Sequence, residues 1–254
     1  MADEVLVEHH DGIVVVTINR PQVRNAINGA VSHGVCAAVD ELEARDDLQV
    51  GILTGAGGTF CSGMDLKAFS RGEVTRVPGR GLLGIANTPP KKPLIAAVEG
   101  YALAGGFEAV LACDLVVAAR NAQFGIPEAK RGLMAGAGGL LRLPRKIPQA
   151  VAMELALTGD MIGAERLERF GLVNQLVEPG EALAAALALA RRIVPNAPRS
   201  VRLSKQVIVE QHGWPIAEQF ARQDEVLGDF RNTEDARAGA LAFLEKRAPR
   251  WTGR

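Results

Sequence analysis

Residues 94–139 read LIAAVEGYALAGGFEAVLACDLVVAARNAQFGIPEAKRGLMAGAGG, and the fold is decided by how this stretch alternates. Residues 94–98 form an apolar run closed on a glycine turn, the pattern of a buried strand. Residues 101–106 are a small-residue turn, and residues 107–112 have helical composition. A glycine-rich turn between strand and helix leaves backbone N–H groups unpaired and aimed at whatever sits above the helix. Into that apolar setting the sequence places a carboxylate, Glu108, between Phe107 and Ala109, and a second, Glu128, after Ile126-Pro127. A buried acid is unfavourable as an anion unless it is paired; otherwise its pKa climbs toward the range useful for proton transfer. Two such acids beside free N–H groups are parts for handling a proton next to a developing oxyanion.

Upstream, Asp11-Gly12 between two apolar runs predicts a hairpin, with His9 and His10 as solvated residues before its turn. Asn25 is placed to cap a helix running to about Arg45, because Ile27, Val31, Val35, Ala38 and Leu42 recur at spacings of three and four. Residues 50–54 read as a strand, followed by a glycine-rich loop and Ser62-Gly63-Met64-Asp65-Leu66-Lys67, a second turn that exposes N–H groups at Met64 and its neighbours. Paired with the turn at Gly105, it suggests two backbone donors converging on one oxygen. Residues 70–92 look irregular, with a short helix at 82–86. Further helices are expected from Leu140, at 149–157, 164–170 and 181–194, with a strand at 172–177. The composition shifts near residue 145 from strands and turns to helices. This describes an α/β core over residues 1–195 and a helical C-terminal region over 196–254 that packs on the core or on another subunit.

Lysine plus arginine and aspartate plus glutamate both total 29 in this 254-residue chain, so no global field argues for nucleic acid or a charged surface as partner. The four histidines show no metal-ligand spacing, and no metal is expected. Cys36, Cys61 and Cys113 read as reduced thiols of a cytoplasmic protein. The Met-Ala-Asp-Glu start lacks the basic and apolar parts of a leader, and no apolar run is long enough to span a membrane.

On these motifs the chain resembles the enoyl-CoA hydratase/isomerase (crotonase) superfamily over nearly its whole length. The likeness is carried by residues 98–108 (VEGYALAGGFE), 122–128 (AQFGIPE) with Gly132 and Gly136-Ala137-Gly138-Gly139, the 62–67 loop, LALTGD at 155–160, and LAFLEKRAPRWTGR at 241–254. The resemblance implies a ClpP-like spiral of repeated ββα units, C-terminal helices that build trimers or dimers of trimers, and an acyl-CoA thioester substrate with no separate cofactor. It maps the two oxyanion donors to the N–H groups of Met64 and Gly105, worth roughly 3 kcal/mol each. It maps the pair of water-holding acids to Glu108 and Glu128, and a water-placing backbone position to Gly136. The CoA contacts implied are Arg24, Ser62, Asp65, Leu66 and Lys67, with Phe243 and Lys246 reaching the CoA of a neighbouring subunit. Asp65 and Asp114 also suit helix-capping or turn-locking, and Lys91 and Lys92 are open between phosphate contact and plain solvation.

Both acids are kept, which favours water addition over isomerisation. Ala104 replaces the first glycine of the family's usual turn, a change expected to affect only the position before the donor. Met64 stands where a small residue is frequent, Ala135 where proline is. Residues 139–148 and the WTGR ending are similar to carnitinyl-CoA dehydratase-like members. Three readings follow: hydration of an enoyl-CoA; another enolate reaction, such as isomerisation, carnitinyl-CoA dehydration or thioester hydrolysis; or acyl-CoA binding without chemistry. Alternatively Glu108 simply pairs with Arg142 or Arg145, and Glu128 is a solvated turn acid.

Overall fold

The computed structural model describes residues 3–253; Met1 and Ala2, from the stretch read for a leader, and Arg254, which ends WTGR, lie outside them. The chain opens on the expected hairpin, with β1 (Val5–His10) antiparallel to β2 (Ile13–Ile18). Its turn needs a left-handed residue, and Gly12 supplies φ +74°. Then come α1 (Gly29–Ala44), β3 (Val50–Gly55), the short α2 (Leu66–Ser70), β4 (Arg76–Val77) and β5 (Gly81–Leu82). The central stretch supplies β6 (Leu94–Val98), β7 (Tyr101–Leu103), α3 (Gly105–Ala112), β8 (Leu115–Ala119) and β9 (Gln123–Gly125). After a 3-10 turn at Pro127–Arg131 follow α4 (Gly139–Lys146), α5 (Gln149–Thr158), β10 (Met161–Gly163), α6 (Ala164–Arg169), β11 (Gln175–Val177) and α7 (Ala182–Ile193). The last helices are α8 (Pro198–Glu210), α9 (Gln219–Leu227) and α10 (Glu234–Leu244).

The strands form a six-stranded sheet in the order β1-β2-β3-β6-β8-β11 and a smaller one in the order β10-β9-β7. Successive units lay β6 and then β8 in the large sheet, and β7 and then β9 in the small one, each unit followed by helix. This is the α/β spiral of ββα units expected. Strand alternation sorts the core: Val14, Val16 and Ile18 of β2 face one hydrophobic cluster, and Ile13 and Val15 face another under α7. Ala182, Ala186 and Ala190 of α7 share one helix face, and their small side chains let that helix lie against the large sheet.

Some expectations are corrected. Tyr101, Ala102 and Leu103 are strand, not turn, so the turn before α3 shrinks to Ala104. No helix forms at 82–86, because Gly81, Leu83 and Gly84 have φ of +78°, +56° and +68°, incompatible with a right-handed helix. The chain returns to both sheets after residue 145 through β10 and β11, so strands do not stop there, and β11 takes only the end of the predicted 172–177 strand. His9 belongs to β1, and its Nε2 lies 2.9 Å from Glu41 of α1. Asn28, not Asn25, caps α1, accepting the Val31 N–H at 2.9 Å.

Asn25 is fully buried at φ +55° and staples a loop instead. Its Oδ1 accepts the Arg20 N–H at 2.9 Å, and its Nδ2 donates to the carbonyls of Ala56 (2.8 Å) and Thr59 (2.6 Å). Asn25→Ala strands one donor and two acceptors in the interior, and should lower stability by about 2–4 kcal/mol, read from the midpoint of urea unfolding. Among the described residues no helix is long and apolar enough to cross a membrane.

Candidate active site

Two loops meet over the start of α3. The 61–65 segment is held on one side by Ile27, whose N–H donates to Gly63 O and whose carbonyl accepts from Asp65 N, both at 2.8 Å. In such a parallel bridge the intervening N–H, that of Met64, faces away from Ile27. Cys61 bridges to β7 on the other side, donating to Tyr101 O (2.8 Å) and accepting from Leu103 N (2.9 Å). Gly105 opens α3, where a helix leaves its first N–H groups without internal acceptors. A Cβ built on Gly105 would lie 3.8 Å from Met64 N, and one built on Gly63 would lie 2.7 Å from Ala104 Cβ and 3.4 Å from Gly105 N. The N–H groups of Met64 and Gly105 therefore sit side by side, and no acceptor takes either among the described residues.

Ala104 is the strained member of this junction, at φ +50° and ψ −126°. That region is comfortable only for glycine, and a side chain there is strained by about 1–3 kcal/mol. The replacement of glycine by alanine at 104 is thus more than a change before the donor. Ala104→Gly should raise stability by about 1 kcal/mol, or roughly 2–4 °C in Tm by calorimetry; an unchanged or lower Tm would show that the turn is not under strain.

Glu108 lies in the first turn of α3 and is only 3 % exposed. Its Oε1 accepts the N–H of Ala137 at 2.7 Å and that of Gly139, the first residue of α4, at 2.9 Å. The carboxylate thus meets the positive ends of two helices. A Cβ at residue 139 would come within 3.0 Å of Glu108 Cγ and Oε1, so glycine is what allows the approach. The pairing with Arg142 or Arg145 does not occur: Arg142 donates instead to Ala86 O (2.6 Å) and Ala137 O (3.4 Å), clamping the turn that carries the donors.

Glu128 sits in the 3-10 turn after Pro127, with its Oε2 buried and unpartnered among the described residues. Burial pushes its carboxyl above the usual range, its own backbone N–H works against that, the charge of Glu108 adds to it, and Arg131 offsets it least. The rings of Phe107 and Phe124, 5.3 Å apart and tilted by 58°, join the two acid-bearing segments from behind.

One cavity of about 580 Å³ gathers Ser62, Met64, Leu66, Gly105, Glu108, Glu128 and Gly136 on its lining. The other expected residues lie elsewhere. Asp65 caps α2, its Oδ1 accepting from Lys67 N (3.0 Å) and Ala68 N (3.1 Å), and pairs with Arg20 at 3.1 Å. Arg24 reaches the site through its backbone, its carbonyl accepting from Ser62 N at 3.0 Å. Lys67 is exposed on α2, and Phe243, 84 % exposed, and Lys246 lie at the end of α10, off this cavity's lining. Lys92 is removed from the phosphate candidates, since its buried Nζ donates to Leu42 O (2.7 Å) and Arg45 O (2.6 Å) at the end of α1. Asp114, expected to cap a helix or lock a turn, instead ties distant segments together, accepting from Leu94 N at the start of β6 and from Lys205 Nζ of α8. Sequence reading missed the N–H donors of Ala137 and Gly139, and also Arg76 and Arg131, which line the cavity. The one signal for Arg131 was its spacing, three residues after Glu128 on a short helical turn.

Burial drives the thiol of Cys61, directly behind the loop junction, up to about 12, which keeps it protonated and excludes it as a nucleophile. Among the described residues, no group of three or more His, Cys, Asp or Glu side chains is placed to hold a metal ion.

Comparison with known proteins matches a family model described as enoyl-CoA hydratase/isomerase over residues 8–254. The chain is similar to the mevalonyl-coenzyme A hydratase of Aspergillus fumigatus, 40 % identical over 247 residues and covering 94 % of this chain and 91 % of the other. It is likewise 40 % identical to the carnitinyl-CoA dehydratase of Escherichia coli K12 over the whole of both chains. Among solved structures, an enoyl-CoA hydratase of Mycobacterium marinum superposes with a TM-score of 0.97 at 59 % identity, covering 99 % of this chain and all of the other.

Proposed function

The chain belongs to the enoyl-CoA hydratase/isomerase family and has the crotonase fold, and from that premise we propose that it adds water reversibly across the 2,3 double bond of an enoyl-CoA. The observation that carries this reading is the contrast between the acids. Glu108 has its Oε1 satisfied by two N–H groups, whereas Glu128 keeps a buried, unpartnered oxygen and a raised pKa in the same cavity. An acid whose carboxyl is pushed up, set beside one held by main-chain donors, is how a site divides acid from base work.

In the proposed reaction the thioester oxygen lies between the N–H groups of Met64 and Gly105, which hold the charge that builds on it as C3 is attacked. Glu108 takes a proton from a water whose oxygen bonds to C3, with Gly136 helping to place that water. Glu128 gives its proton to C2. The product is the 3-hydroxyacyl thioester, and the acids return to their starting state by passing one proton back. Polarisation by main-chain dipoles supplies the activation, so no cofactor beyond the CoA part of the substrate is invoked.

The CoA part is assigned to the Ser62–Lys67 side, where Ser62 and Leu66 line the cavity, Arg24 and Lys67 lie outside its lining as the implied phosphate contacts, and Asp65 holds the segment in shape. Exposed Ile216, Phe220, Phe243 and Leu244 on or beside α9 and α10 support assembly into trimers or dimers of trimers, in which Phe243 and Lys246 serve a neighbour's site. A carnitinyl-CoA dehydratase-like activity is the second reading, favoured by the full-length match to the Escherichia coli enzyme. The deciding experiment is incubation with crotonyl-CoA, following loss of the conjugated thioester's absorbance and identifying the product. Formation of 3-hydroxybutyryl-CoA supports the reading. A shifted double bond, free acid, or unchanged substrate bound without turnover points to isomerisation, hydrolysis or a binder instead.

A further inference from the structure

The cavity contains two cations that the proposed chemistry leaves idle. Arg76 makes one long contact, Nη2 to Gly136 O at 3.4 Å, and Arg131 makes one, Nη1 to Pro127 O at 3.5 Å. Neither has a carboxylate partner among the described residues. Of the other acids on this lining, Glu73 takes the Gly29 N–H at 2.8 Å and pairs with Arg71 at 3.6 Å, and Glu108 is held by its two N–H donors. Arg131 offsets the upward pull on Glu128 only as the smallest of the named influences, and neither guanidinium forms an ion pair with that acid among the described residues.

The segments that hold the acids also hold these guanidiniums. Arg131 is carried by the same 3-10 turn as Glu128, and Arg76 touches Gly136, one residue before a donor to Glu108. With the thioester oxygen at Met64 and Gly105, C2 and C3 fall at the acids, and the chain beyond C3 continues toward this wall. A plain alkyl chain there would offer neither guanidinium an acceptor, and a cationic tip would be repelled. A carboxylate is the shape a guanidinium fork accepts in a bidentate manner.

We propose that the acyl group carries a carboxylate beyond the reacting carbons, read by Arg76 and Arg131, so that the substrate is the monothioester of an unsaturated dicarboxylic acid. This rests on the acyl-thioester reading of the cavity, and binding tests it without requiring turnover. Calorimetric titration would compare adipoyl-CoA with hexanoyl-CoA, ligands of equal chain length differing in a terminal carboxylate, on the full chain and on Arg76→Gln, Arg131→Gln and the double variant. Both side chains are exposed, so the variants should fold. The parent should bind adipoyl-CoA about tenfold more tightly or better, and the ratio should fall toward one in the double variant. Equal affinities in the parent overturn the proposal. So does an equal weakening of both ligands in the variants, which would assign the guanidiniums to the CoA phosphates. Failure to hydrate any enoyl-CoA while the binding preference holds would sink the hydratase reading and leave this one standing; hydration without the preference does the reverse.

Discussion

Glu128→Gln should lose hydration by roughly 10²–10⁴-fold in kcat with KM changed much less, and should melt at a higher temperature than the parent. The two effects have one cause. Buried carboxyl oxygen without a partner destabilises the fold when it is ionised, and in the proposed mechanism the same isolation lets Glu128 carry a proton. Its pKa is raised in the folded chain. The associated stability is therefore present in full below the ordinary carboxylate value of 4.5 and is lost as pH rises through the folded value. Glutamine removes that loss, so the gain in stability, about 1 kcal/mol, should raise Tm at neutral pH and vanish below about pH 4.5, the ordinary value. Glu108→Gln should also lose roughly 10²–10⁴-fold in kcat, but with a lower Tm, because an amide presents its oxygen less strongly to the Ala137 and Gly139 N–H groups. The double variant should be scarcely worse than either single one if the two acids act as one unit. Calorimetric scans at several pH values beside steady-state kinetics provide the check, and wild-type kcat in both variants would end the two-acid mechanism.

The second large effect is expected from a residue that touches no substrate. A Cβ on Gly106 would overlap the carbonyl oxygen of Cys61 and lie 2.9 Å from its Cβ. The obstacle is main chain, already fixed by its bond from Leu103 N, so it cannot swing aside. Gly106→Ala should push the 61–64 segment away from α3 and part the N–H groups of Met64 and Gly105. We expect kcat to fall about 10²–10³-fold, the loss typical of one oxyanion donor, and stability to fall by about 1–3 kcal/mol. Gly171→Ala is the comparison: it places a Cβ at positive φ but in open space, and should lower stability by about 1 kcal/mol while kcat stays near the parent's. Similar kcat losses in both would mean that general destabilisation, and not the loop junction, is responsible.

Much of this architecture was legible because its signals are local. The Asp11-Gly12 hairpin and the apolar spacing of α1 each read correctly from a few neighbouring residues. The acids stood out because a charge in an apolar run is rare enough to demand a reason. What escaped was set by partners distant in sequence. Asn25 looked like a helix cap because asparagine before an apolar helix usually is one, yet its partners are the carbonyls of Ala56 and Thr59. Lys92 looked like a surface cation, although the carbonyls at the end of α1 bury it. The main-chain donors to Glu108 carry no sequence signature, since any residue but proline offers an N–H. The strain at Ala104 was hidden for a similar reason: a dihedral angle is not written in composition.

The neighbouring N–H groups of Met64 and Gly105 have a consequence for how such a protein can vary. Neither donor has a codon of its own. Short of proline, no substitution at either position deletes it, while the Met64 side chain beside it on the cavity wall is free to be exchanged. Polarising power and shape are thus inherited separately at the same residue. On the proposed mechanism, variation at 64 would redraw which acyl group fits without discarding the means of activating it, so new specificities would lie one mutation away from a working catalyst and not across a gap of inactive forms.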